Sequence, residues 1–158
     1  MKVIYHCYGG SHASPVAAAI HLQTLPADRI PTKEEILALQ LFDRVSPAMY
    51  GTLFPLGLDN QGNEVFVLGA RNDAEILLKV LKGVTRMIGE DYQDYLFVDV
   101  KPCINIWMRI GGFLSRAVGL IRLGRPLVTW GVRKAYPALV GLVEQTHSRL
   151  SHYKDGSR

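Results

Sequence analysis

The chain has 158 residues, 48% of them hydrophobic and 20% charged, and its 18 Lys and Arg against 14 Asp and Glu give a formal net charge of +4. Such a chain is long enough for one domain with a substantial core, and its composition excludes disordered, fibrous and disulfide-scaffold classes. The mild positive balance suits a phosphorylated or otherwise anionic small molecule as partner. No basic run of about five to eight residues is present to point to nucleic acid.

Residues 2–8 are apolar and rich in β-formers, which predicts a buried strand. His6 and Cys7 interrupt the run too early for a secretory leader. Gly9-Gly10 ends the pattern. Ser14-Pro15 then reads as a helix start, with Ser14 as N-cap and Pro15 at the first helical position, leading an Ala-rich helix over 16–25. His21 is expected on the surface of that helix. Thr32-Lys33-Glu34-Glu35 is a capping box, predicting a second helix to about Phe42. Residues 44–51 are read as an irregular connection.

Segments 53–58 and 64–68 flank Asp59-Asn60-Gln61-Gly62-Asn63 and predict a β-hairpin. Asn72 with Glu75 again reads as a helix start. Ile76, Leu77, Val80, Leu81 and Val84 then share one apolar face, and Gly89 closes the helix. Residues 95–100 predict another buried strand. A helix over 104–123 should stop at Gly124, followed by a short strand at 126–130 and a last helix over 134–150. The segment 104–123 carries Arg109, Arg116 and Arg122, so it is read as a helix within the protein and not as a membrane span. Gly111-Gly112 inside it predicts a tight helix crossing or a break.

Strands alternating with helices predict an α/β fold: three layers, a mostly parallel sheet with helices on both faces and one β-hairpin. The domain is placed at 1–150, with a polar C-terminal tail at 151–158. Two cysteines, Cys7 and Cys103, fit a cytoplasmic protein.

In such folds ligands bind beyond the carboxyl ends of the strands. Gly9, Gly10, Ser11, His12, Ala13 and Ser14 form a turn there, with permissive backbone, hydroxyls and a helix N-terminus suited to an anion. A tight strand-to-helix turn that binds nothing is the competing reading. Cys7 faces the start of the helix, where a thiolate nucleophile is favoured, and His12 lies within the turn as the candidate for proton transfer. His6 alternates to the opposite face. Arg71, Asp99 and Arg133 follow other predicted strands and are candidates to line the same crevice. Neither a Gly-Lys-Ser/Thr phosphate loop nor a three-glycine dinucleotide fingerprint is present. No CxxC or HxxxH spacing supports a metal site, and no cofactor is implied.

Cys7-Tyr8-Gly9-Gly10-Ser11-His12-Ala13-Ser14-Pro15 resembles the phosphate loop of low-molecular-weight protein tyrosine phosphatases and the related arsenate reductases. Cys7, Gly9, Ser14 and Pro15 match by position. Ala13 stands where that loop carries the arginine that grips phosphoryl oxygens, and no late Asp-Pro-aromatic segment supplies a general acid. The resemblance therefore implies phosphate-loop geometry more than phosphatase chemistry. More broadly, "KVIYHCYGGSHAS", "RIPTKEE", "VLGARN", "RIGGFLSRAVGL" and "GRPLV" resemble an uncharacterised family of spore-forming Gram-positive bacteria that carries a domain-of-unknown-function label. That resemblance implies no activity. The expectation is an anion-binding protein, with group transfer through Cys7 and His12 if it is an enzyme. The alternative is a non-catalytic regulatory or protein-interaction module on a degenerate phosphate-loop scaffold.

Overall fold

The computed structural model describes residues 1–155, with side chains to Tyr153. The last part of the predicted tail, residues 156–158, lies outside the described residues. Four strands, β1 (Lys2–Cys7), β2 (Leu53–Leu58), β3 (Glu64–Gly69) and β4 (Tyr95–Asp99), form one sheet in the order β2-β3-β1-β4. β1 runs parallel to both its neighbours, with Cys7 opposite Gly69 and His6 opposite Asp99. β2 returns antiparallel on β3, completing the hairpin, with an irregularity between Pro55 and Gly57. β1 is apolar on both faces because both are covered. Val3, Tyr5 and Cys7 belong to the larger core, and Ile4 to a smaller one with Leu68, Ala70 and Ala74.

The larger core is built by α1 (Ala13–His21), α2 (Lys33–Ala38) and α5 (Ile121–Asp155). All nine residues of α1 are buried. Its alanines let it lie close between the sheet and α5, and even His21 is only 2% exposed, against the expectation of a surface position. The helix also starts earlier than predicted: His12 is its N-cap, so Ser14 and Pro15 lie inside the first turn. α2 has the predicted capping box but stops at Ala38, because Leu39 turns to an extended ψ of 134°.

On the opposite face, α3 (Ala74–Met87) lays Leu77 and Leu81 on the smaller core. Its predicted apolar face is split, since Ile76, Val80 and Val84 remain exposed. Asp73, not Asn72, is its N-cap.

The carboxyl-terminal third departs most from expectation. α4 (Ile106–Gly112) runs into a π-helical turn (Phe113–Ala117), and the chain breaks at Gly119 (φ +80) before α5 begins. Gly124 and the predicted strand 126–130 both lie within α5, which continues through residues 151–155 of the predicted tail. The reason is periodicity. Val128, Val132, Tyr136, Leu139 and Val143 are all buried, at three- and four-residue intervals, so they line one helix face. α4 and α5 cross tightly: a Cβ at Gly111 would come within 2.4 Å of Val128 N, and one at Gly124 within 2.4 Å of Ser115 N. Among the described residues no helix is long and apolar enough to cross a membrane.

Candidate functional site

β1 and β3 are adjacent, yet the helices that follow them pack on opposite faces of the sheet. Their carboxyl ends therefore form a topological switch point, where α/β proteins place ligands. The turn between β1 and α1 lies there. Gly10 takes φ +61, which glycine adopts without steric cost, and its amide donates to Cys7 Sγ at 3.3 Å. A Cβ at Gly10 would come within 2.7 Å of Gly69 N, and one at Gly69 within 2.9 Å of Gly9 O. The Ala70 and Arg71 amides donate to Cys7 O and Tyr8 O, both at 2.9 Å. Close backbone packing thus accounts for Gly10 and Gly69 without a ligand, whereas a Cβ at Gly9 would meet only the Tyr50 hydroxyl, at 4.0 Å.

Ser11 ties the turn to the segment after α2. Its carbonyl accepts the Asp43 amide at 2.9 Å, and its hydroxyl accepts the Val45 amide at 3.3 Å. Asp43 is the hub of the region. It takes φ +55, a left-handed conformation that aspartate tolerates better than most residues. Its side chain is fully buried and accepts from His12 Nε2 at 3.1 Å, Ser115 Oγ at 2.7 Å and Arg125 Nε at 2.9 Å. Arg116 donates to the Asp43 carbonyl at 2.9 Å. Burial pushes the Asp43 carboxyl upward, but the bonds from His12, Ser115 and Arg125 outweigh it and hold the group at about 2. A carboxylate only accepts, so His12 Nε2 carries the proton.

At the start of α1 the His12 side chain makes no capping bond. The first main-chain bond runs from Val16 N to His12 O at 3.3 Å, so the Ala13 and Ser14 amides have no carbonyl within the helix. Ser14 is 0% exposed, and its hydroxyl has no hydrogen-bond partner. Cys7 is a free thiol only 4% exposed, and Cys103 lies separately, with Sγ 3.6 Å from Ala138 O.

The remaining predicted residues divide. Arg71 borders the turn: its guanidinium stacks 5.1 Å over the Tyr50 ring, which meets Tyr8 edge-on at 6.3 Å. Asp99 ends β4, accepts the Lys101 amide at 2.9 Å and acts on His6 across the strand pair. Burial pushes the His6 imidazole below its ordinary range, Asp99 opposes this, and His6 Nδ1 is buried without a partner. Arg133 lies within α5, where its Nε donates to Pro31 O at 3.1 Å and braces the connection between α1 and α2. The strand end it was expected to follow does not exist.

Asp43, Arg116 and Arg125 had not been foreseen as partners of the turn. In sequence, Asp43 is a single acid between Phe42 and Val45, with no motif around it. Arg116, within the π-helical turn, reaches the Asp43 carbonyl, while Arg109, in α4, is exposed.

The chain belongs to DUF3189, a family of proteins of unknown function whose model matches residues 2–148. No curated protein and no solved structure matches the chain.

Proposed function

We propose that the turn of Gly9, Gly10, Ser11, His12, Ala13 and Ser14 binds a phosphorylated or other anionic small molecule in the cytoplasm. Arg71, at its rim, supplies the cation that Ala13 cannot. The observation that carries this reading is Ser14, a fully buried hydroxyl with no partner in the first turn of an uncapped, nine-residue helix. Leaving such a group unpaired costs about 1–3 kcal/mol. An oxyanion beside it would accept from the hydroxyl and from the Ala13 and Ser14 amides, with the helix dipole in its favour.

Binding is better supported than turnover. Cys7 is nearly inaccessible, His12 Nε2 is committed to Asp43, and no arginine follows the loop. The second reading, a regulatory or protein-interaction module on the same scaffold, draws on the apolar side chains that α3 leaves exposed.

Titration with inorganic phosphate, followed by amide chemical shifts, tests the reading. The amides of residues 9–14 should move together and saturate. Ser14→Ala and Arg71→Ala should each weaken binding about 5- to 10-fold, the worth of one hydrogen bond or partly exposed charge. Unmoved amides at tens of millimolar phosphate overturn the proposal. Wild type and Cys7→Ser should both fail to hydrolyse an aryl phosphate; turnover lost in Cys7→Ser would restore the thiolate reading.

A further inference from the structure

A second polar cluster lies at the other end of the sheet. His21 ends α1, Asp59 opens the β2–β3 loop, and His147 lies in the carboxyl-terminal half of α5. Sequence spacing gives no hint of the grouping, since the three are separated by 38 and 88 residues. Folding brings one ligand atom from each to within 4.8 Å of the other two. We infer that His21, Asp59 and His147 form a binding site for a divalent transition-metal ion of the zinc class.

The donor set decides the class of ion. Two imidazole nitrogens and one carboxylate oxygen suit zinc and its first-row neighbours, whereas calcium and magnesium take oxygen ligands. Three protein ligands are the number found in open zinc sites, which leave a fourth position for water or substrate.

Two ligands are already oriented from behind, as metal ligands commonly are. Asp59 Oδ1 accepts the Gln61 and Asn63 amides, both at 2.8 Å, and Oδ2 accepts Asn63 Nδ2 at 2.7 Å. His21 Nδ1 lies 2.8 Å from the Tyr5 hydroxyl, which leaves Nε2 turned to Asp59 Oδ2 at 3.0 Å. When an ion takes Nε2, the proton of the neutral ring sits on Nδ1 and is donated to Tyr5 Oη.

The Tyr5–His21–Asp59 chain is also a satisfied buried network without an ion. His147 is what that account leaves over. It brings a second imidazole against His21, ring centroids 4.3 Å apart and planes tilted by 33°, where packing alone would favour an apolar side chain. A tetrahedral ion with bonds of about 2.0–2.1 Å needs its ligand atoms about 3.3 Å apart. His147 is half-buried, and ion binding requires the three ligand atoms to draw together from a spread of up to 4.8 Å.

Calorimetry with Zn²⁺ and visible absorption with Co²⁺, on the full chain, test the assignment. One ion should bind per chain, with cobalt d–d bands of a nitrogen and oxygen site and a rise in melting temperature with added Zn²⁺. His147→Ala removes a ligand outside the buried hydrogen-bond chain, so the protein should fold normally and bind at least about 100-fold more weakly. His152→Ala, an exposed neighbour on α5, should change nothing. Absent binding, affinity unchanged by His147→Ala, or intense thiolate-to-cobalt bands would each overturn the site.

Discussion

At the scale of single residues, Asp43 does more for the candidate anion site than any residue within the turn. It fixes His12, Ser115 and Arg125 with one buried carboxylate and places Ser11 through its own amide. Asp43→Ala leaves those donors without an acceptor and should cost about 3 kcal/mol in urea unfolding. The pH dependence has a definite sign. The folded carboxyl titrates at about 2 against an ordinary 3.8, so its contribution is complete above about pH 4 and is lost as pH falls toward 2. Asp43→Asn should therefore unfold less steeply than wild type across that window, although it is less stable at neutral pH. Parallel curves for the two proteins would show that Asp43 does not carry the acid sensitivity. Ser14 teaches a related lesson. Its place before Pro15 made it look like an N-cap, but the helix begins two residues earlier, and the hydroxyl read as a cap is the one left unpaired.

At the scale of elements, what local chemistry specifies was legible, and what depends on a distant partner was not. The Thr32–Glu35 capping box forms because both its bonds lie within four residues. The hairpin forms around Asp59, whose carboxylate accepts from the loop itself. The segment at Pro126 differs from its predicted strand because Leu-Val-Thr-Trp favours strands by composition, while the buried positions of α5 follow a helical period set by contact with α1 and α4. The glycines of the α4–α5 crossing separate the two kinds of constraint experimentally. Gly124→Ala drives a Cβ to within 2.6 Å of Gly111 O and should destabilise by about 1–3 kcal/mol, displacing Ser115 from Asp43 as it does so. Gly141→Ala, also inside α5, meets nothing within 4 Å and should stabilise by about 0.5–1 kcal/mol. Thermal unfolding of the pair checks both signs, and equal shifts would mean that the tight crossing is not maintained in solution.

At the scale of the whole molecule, β1 separates two chemically distinct ends. The Asp59–Asn63 loop adjoins its start, where the Met1 amino group donates to Asn63 Oδ1 at 3.2 Å, and Cys7 ends it beside the anion turn. Six residues of strand span about 20 Å, and α1, with His12 before its first residue and His21 at its last, covers about 14 Å of that distance. The candidate anion turn can be singled out in the sequence because its residues, 9–14, are contiguous. The metal end cannot, because its three ligands are gathered only by tertiary packing. At that separation, with no shared partners, substitutions act independently. His147→Ala should leave the phosphate-induced amide shifts of residues 9–14 unchanged, and Ser14→Ala should leave the Co²⁺ spectrum unchanged. If either substitution altered the other end, the rigid α1 would be the element common to both. Coupling would then appear as a change in phosphate affinity on saturation with Zn²⁺, reciprocated by the same factor in Zn²⁺ affinity on saturation with phosphate.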